Sequence, residues 1–185
     1  MSFNVAIAGV TGAVGQEFIR LLEQRDFPVA SLRPLASARS AGKPVTFRGQ
    51  AVTVEELTQD SFAGVDIALF SAGGSISKKF APAASAAGAI VIDNSSAFRM
   101  TPGVPLIVPE INAHALDQAG IALGEPLPQP ADLADASLKG VIANPNCSTI
   151  ITLTAVNALH RAVGIARLVA ATYPAASGAG AAALA

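Results

Sequence analysis

The chain has one cysteine, Cys147, in the segment Asn144-Pro145-Asn146-Cys147-Ser148-Thr149. This segment follows a short apolar run, Gly140 to Ala143. It leads into an apolar-periodic stretch containing Ile150, Ile151, Leu153 and Val156. The pattern reads as a strand end followed by a helix start, which puts the thiol in the first helical turn. The positive end of the helix dipole favours thiolate there, and thiolate is the form that attacks a carbonyl carbon. A lone cysteine is also commonly a small buried hydrophobe, and the local residues leave both readings open. Asn146 has the side chain of a helix N-cap.

A second segment that could do chemistry lies at the other end of the chain. Gly9-Val10-Thr11-Gly12-Ala13-Val14-Gly15 follows the apolar run Asn4 to Ala8 and precedes Val14, Phe18, Leu21 and Leu22 at helical spacing. Glycines at G-x-x-G-x-x-G let the backbone turn tightly and approach a pyrophosphate, which the free N–H groups of the helix start then face. In this strand-to-helix context the loop reads as dinucleotide-binding rather than as an ordinary turn. NAD sites place an acid roughly 20 residues further on, at the end of the second strand. Here that region is Leu35-Ala36-Ser37-Ala38-Arg39-Ser40. Arg39 could pair with a 2′-phosphate and the serines could donate hydrogen bonds to it, which favours NADP; the alternative is a solvated loop arginine.

These segments need a frame of alternating strands and helices. Strands are expected at Asn4–Ala8, Leu32–Ala36, Val65–Phe70, Ala89–Asp93, Leu106–Val108, Gly140–Ala143 and Ile165–Thr172. Pro34 should demote the second to an edge or end it early. Val45–Phe47 and Val52–Val54 alternate about Arg48-Gly49-Gln50 as a hairpin. Helices are expected from Gly12, over Ser77–Ala87 with Pro82 as its weak point, and over Ser148–Val163. The order predicts an α/β, Rossmann-like parallel sheet with helices on both faces and ligands beyond the carboxyl ends of the strands. Residues 1–143 form the dinucleotide domain. The Pro-rich stretch 124–138 is the linker candidate.

Bulk properties exclude several classes. With 185 residues the chain is one domain, or one and part of another. Hydrophobic residues at 51% and charged residues at 14% indicate an ordered globular chain. A net charge of -1 and no Lys/Arg block argue against a nucleic-acid partner. One cysteine rules out an internal disulfide and a Cys-rich metal site, and no metal is expected. No signal core follows Met1-Ser2-Phe3-Asn4, and no apolar run of about 18 residues predicts a membrane span. The expected setting is cytoplasmic.

The segments Gly9–Gly15, Ser37–Ser40, Asp93-Asn94-Ser95-Ser96-Ala97-Phe98-Arg99, Val108-Pro109-Glu110-Ile111-Asn112 and Asn144–Thr149 together resemble, in order, the signatures of aspartate-semialdehyde dehydrogenases. The resemblance runs over nearly the whole chain. It implies NADPH-dependent reductive dephosphorylation of aspartyl 4-phosphate to aspartate 4-semialdehyde, which feeds lysine (through diaminopimelate), methionine and threonine synthesis. By motif, Cys147 is the nucleophile that forms an acyl-thioester and Arg99 holds the substrate phosphate. Gly9, Thr11, Gly12, Ala13, Val14 and Gly15 line the pyrophosphate, and Ser37, Arg39 and Ser40 meet the 2′-phosphate. Ser177 and Gly178 match a later cofactor-contacting segment, and Glu110 a position near substrate. The resemblance also suggests a homodimer, and it implies that residues 144–185 begin a second, α+β catalytic and dimerisation domain.

Two departures from the family stand out. The family's tyrosine is followed by a substrate-orienting glutamine, but Tyr173 is followed by Pro174. The family's acid/base histidine lies in a second domain, and neither His114 nor His160 matches it; both are expected on helix surfaces. Activity of these residues alone is therefore in question. Two alternatives follow: a noncatalytic nucleotide-binding relative, and an acylglutamyl-phosphate reductase. In the latter the cysteine usually sits in Gly-Cys-Tyr-Pro, unlike here.

Overall fold

Apolar alternation and strand ends set the frame seen in a computed structural model, which describes residues 1–121 and 136–173. Strand β1 (Phe3–Ala8) enters helix α1 (Ala13–Gln24) through the glycine loop. Strand β2 (Val29–Ala36) follows, then a 3-10 turn at Ala38–Ser40. The hairpin strands β3 (Pro44–Phe47) and β4 (Gln50–Thr53) come next, then the two-residue β5 (Glu55–Glu56). After β6 (Ile67–Phe70), helix α2 (Gly74–Ala86) leads to β7 (Ile90–Asp93). The short helices α3 (Pro109–Asn112) and α4 (His114–Gln118) precede a 3-10 turn at Ala136–Leu138. Last come β8 (Val141–Ala143) and α5 (Cys147–Val163).

The main sheet has the order β5-β2-β1-β6-β7-β8, and every pairing in it is parallel. The chain steps one way from β1 to β2 and the other way from β1 to β6, so the topological switch point lies between β1 and β6. Alternation along the strands feeds two cores. Ala6, Ala8, Ala68, Phe70, Val91 and Val141 pack with Phe80, Ala81 and Ala84 of α2. Val5, Ile7 and Leu69 face the opposite way and pack with Phe18, Ile19 and Leu22 of α1. The expected Rossmann-like sheet with helices on both faces is therefore present. Among the described residues no helix is long and apolar enough to cross a membrane.

The ends of α1 show how local chemistry fixes an element. Asp26 adopts a left-handed φ of 47° just past the helix. Its N–H reaches the Glu23 carbonyl, and the Phe27 N–H reaches that of Leu22. This is a Schellman closure, with Phe27 packing beside Leu22. The β3–β4 hairpin turns at Arg48 and Gly49, whose φ values of 49° and 74° suit a two-residue type I′ turn.

Three expectations need correcting. Pro34 neither ends β2 nor confines it to the edge. The Leu35 carbonyl accepts from Gly9 and Val10 of the β1 side, and the Ala36 carbonyl accepts from Leu57 on the outer side. Pro34, two residues from Ala36, therefore also faces outward. Pairing with β5 begins only at Leu35, so its missing N–H breaks no rung. Leu106–Val108 is not a strand: it makes an isolated bridge between Leu106 and Ala143, and Asn112 Oδ1 takes the Val108 N–H at 2.8 Å. Ile165–Thr172 is not a strand either. It is mostly exposed and has no ladder partner among the described residues, and extended backbone without a neighbour is not a sheet. The linker candidate, with Pro126, Pro128 and Pro130, lies largely outside the described residues.

Candidate functional site

The glycine loop is shaped by contacts that exclude side chains. Gly9 has φ 90°, and a methyl group there would stand 2.6 Å from the Ser71 carbonyl oxygen. A methyl at Gly15 would lie 2.3 Å from the Gly9 carbonyl oxygen and 2.6 Å from the Val10 Cα. Gly12 differs: its nearest neighbour would be the Gly9 oxygen at 3.4 Å, an ordinary contact. The N–H of Gly12 donates to Gly9 at 3.0 Å, and Gln16 Nε2 donates to the Val10 carbonyl at 2.8 Å, closing the turn. Helix α1 starts at Gly12 with no side-chain cap, and Thr11, Gly12, Ala13 and Val14 are exposed. The result is an open cradle of backbone at a helix N-terminus, which fits a phosphate.

The other expected residues lie along the same edge of the sheet. Ser37, Arg39 and Ser40 form the turn directly after β2; the Ser40 N–H closes on the Ser37 carbonyl at 2.8 Å. Arg39 is exposed. After β7, Arg99 is half-buried and bound to two backbone carbonyls. Its Nε donates to Asn144 at 2.9 Å, and its Nη2 to Asn94 at 3.3 Å. After β8, Asn146 caps α5 by accepting the Ser148 N–H at 3.0 Å, as its side chain predicts. Cys147 is the first residue of α5 and is exposed.

Adjacent loops touch in series. Gly9 meets the β2 end through the Leu35 carbonyl and the β6 end through Ser71. Gly74, which opens α2, would bring a methyl 3.8 Å from Ser96 Oγ in the loop after β7. That loop meets the β8 end through Arg99 and through Asn144 Nδ2 donating to Asn94 Oδ1 at 2.6 Å. Four strand-to-strand steps separate the Arg39 turn from the Cys147 turn, about 19 Å at roughly 4.8 Å per step. The arrangement is a continuous rim from a cationic turn, across the glycine-loop cradle, to an arginine and an exposed cysteine.

Residues 4–119 match the family described as semialdehyde dehydrogenase, NAD binding domain. The chain belongs to that family. It is 50% identical to the aspartate-semialdehyde dehydrogenase of Aquifex aeolicus (strain VF5), over 100% of this chain and 49% of that protein. With the same enzyme of Bacillus subtilis (strain 168) the identity is 49% over 96% of this chain and 46% of the relative. The crystal structure of aspartate semialdehyde dehydrogenase II from Vibrio cholerae, complexed with ASA, superposes with a TM-score of 0.85 at 44% identity, covering 100% of this chain and 50% of that one. The chain thus spans about half the length of the relatives it matches.

Sequence reading missed several members of this rim. Asp93 is fully buried, yet its carboxylate is met by Ser77 and Ser95. Ser77 was expected only as a helix residue, and nothing in its local pattern marks the contact, which spans 16 positions. The asparagine pair Asn94–Asn144 is 50 positions apart, and Ser71 stands directly after β6. For all but Ser77 the one available signal is position, since the others lie at or just after the end of a parallel strand. His114 and His160 are exposed on helices, as expected; His160 Nδ1 accepts the Ile165 N–H at 3.2 Å. Glu110 is exposed on α3. Ser177, Gly178 and Pro174 lie outside the described residues.

Proposed function

We propose that this chain is the NADP-binding half, through the nucleophile, of an aspartate-semialdehyde dehydrogenase acting on L-aspartyl 4-phosphate. The observation that carries the reading is the linked rim: the arginine bound to Asn144 stands on the loop next to the strand end that leads, three residues on, to the exposed Cys147. The arrangement matches the chemistry in order. The Arg39 turn and Ser37 and Ser40 would take the 2′-phosphate that separates NADP from NAD. Gly9, Thr11–Val14 and Gly15 would take the pyrophosphate, with Ser177 and Gly178 as further cofactor contacts. The bound nicotinamide would supply the hydride.

The Cys147 thiolate attacks the 4-acyl carbon; the carbon–oxygen bond to phosphate breaks, and the electron pair leaves with phosphate. Arg99 pairs with the phosphate before it departs. With hydride supplied to the resulting acyl-thioester, the carbon–sulfur bond would break and the Cys147 thiolate would be the leaving group, freeing the semialdehyde. The name of the Aquifex relative supports this assignment, and placement in cytoplasmic lysine, methionine and threonine synthesis follows from it. The domain boundary at residue 144 is supported by burial: Val141, Ala143 and Pro145 are buried, whereas no residue of α5 is. Exposed Ile151, Leu159 and Val163 on α5 suit coverage by a second domain or by the partner of a homodimer.

The test is intact mass after mixing the purified protein with aspartyl phosphate. The expected result is a gain of one aspartyl group that Cys147→Ala abolishes. NADP binding without any adduct would refute the enzymatic reading in favour of a noncatalytic nucleotide-binding relative. Adduct formation with acylglutamyl phosphate alone would reassign the substrate.

A further inference from the structure

The fully buried Asp93 carboxylate has no part in the chemistry above, and among the described residues no cation pairs with it. A charge out of water without a counter-ion is unfavourable unless hydrogen bonds satisfy it. Three do. Ser77 Oγ–H donates to Oδ1 at 2.6 Å, the Ser95 N–H to the same oxygen at 3.2 Å, and Ser95 Oγ–H to Oδ2 at 2.7 Å. The Ser95 oxygen in turn accepts the Ala97 N–H at 3.0 Å. The carboxylate thus anchors residues 95 to 97, just before Arg99, to helix α2. The Asp93 backbone carbonyl also accepts the Asn144 N–H at 2.9 Å. One residue therefore holds both segments whose carbonyls grip the Arg99 guanidinium.

We propose that Asp93, acting through Ser95, is a positioning residue that sets the Arg99 guanidinium against the strand end leading to Cys147. The proposal rests on the assignment of Arg99 to the substrate phosphate, but its geometric core does not.

The donor pattern explains why this position carries an acid. A carboxylate accepts at both oxygens. An amide in its place would turn its NH₂ either toward the Ser95 N–H, donor against donor, or toward the Ser95 oxygen. In the second case the serine hydroxyl loses its acceptor while its oxygen already holds the Ala97 N–H. Either orientation loosens the loop. Arg99 itself offers no compensation, because it grips the main-chain carbonyls of Asn144 and Asn94 rather than the Asp93 carboxylate.

Because Asp93→Asn could fail to fold, the decisive variant is Ser95→Ala, at a half-buried loop position, with Ser95→Thr as the rescue that retains the hydroxyl. The first readout is exchange of the Arg99 Nε–H with solvent in nitrogen-correlated NMR, assigned with Arg99→Lys. It should quicken about fivefold in Ser95→Ala, as expected for loosening by one ordinary hydrogen bond, and return near the wild-type rate in Ser95→Thr. The second is the aspartyl phosphate concentration that half-saturates Cys147 acylation, which should rise by about the same factor while alkylation of the thiol by iodoacetamide stays constant. In an Arg99→Ala background Ser95→Ala should have no further effect on acylation. Unchanged Arg99 exchange in Ser95→Ala overturns the positioning role whatever the acylation result. Quickened exchange in a protein that never acylates upholds the positioning role and refutes the enzymatic reading instead.

Discussion

Replacing Gly15 by alanine, with Gly12→Ala beside it, separates what the glycine loop does for the fold from what it does for the cofactor. At Gly15 the added methyl would stand 2.3 Å from the Gly9 carbonyl oxygen, where ordinary contact begins at 3.4 Å. Both partners are backbone, so no side chain can swing away. Helix α1 must retreat from the loop by about 1 Å, at the general cost of overpacking, roughly 1–3 kcal/mol. For a chain of this size that lowers the melting temperature by about 3–10 °C. The same retreat pulls the first-turn N–H groups from the phosphate. Loss of one charge-assisted hydrogen bond, about 1.5–3 kcal/mol, weakens NADP binding roughly 10- to 150-fold. At Gly12 the methyl meets nothing closer than 3.4 Å and φ is an ordinary -79°, so melting should move by only about 1–4 °C, from the poorer cap. NADP binding should still fall, because the methyl projects from the exposed surface of the cradle. Differential scanning fluorimetry and NADP titration by calorimetry read the two effects. A Gly15→Ala protein that melts with the wild type would refute the close approach of helix and loop. A Gly12→Ala protein that binds NADP normally would refute the cradle as the pyrophosphate site.

Three further outcomes are expected. Arg39→Ala should weaken NADP about 10- to 150-fold, the loss of one charge-assisted contact, and leave NAD binding nearly unchanged; equal loss of both would remove Arg39 from the 2′-phosphate site. Asp26→Gly should stabilise the protein by about 0.5–1 kcal/mol in urea unfolding, because Asp26 holds a left-handed φ of 47° that glycine adopts without strain. Glu17 is held below its ordinary 4.5 chiefly by the hydrogen bond from Arg20, whose Nε donates to Oε2 at 2.8 Å. A depressed carboxyl stabilises the fold above its unfolded pKa and loses that contribution as pH falls through the folded value. The melting difference between wild type and Glu17→Gln should therefore shrink toward zero below the ordinary carboxylate range. It should also shrink in high salt, since both side chains are exposed.

Much of this protein was legible in its residues because the relevant signals are local. The glycine loop, the Arg48-Gly49 hairpin and the Asn146 cap depend on neighbours within a few positions, where turn and cap chemistry leave few alternatives. The strands that were read correctly are apolar runs bounded by turns, buried on both faces of a parallel sheet. The failures are places where the answer depends on a partner far along the chain. Leu106–Val108 has strand composition, but it meets only one residue of β8. Ile165–Thr172 has the composition too and finds no ladder among the described residues. Pro34 looks disruptive until the direction of its missing N–H and the shortness of β5 are known. The site divides in the same way. Residue type and spacing mark Cys147, Arg39 and the glycine loop as candidates, with an alternative open at the first two. Tertiary structure alone brought Ser77 to Asp93 and Asn144 to Asn94, because contacts across 16 and 50 positions are made by strand order rather than by sequence neighbourhood.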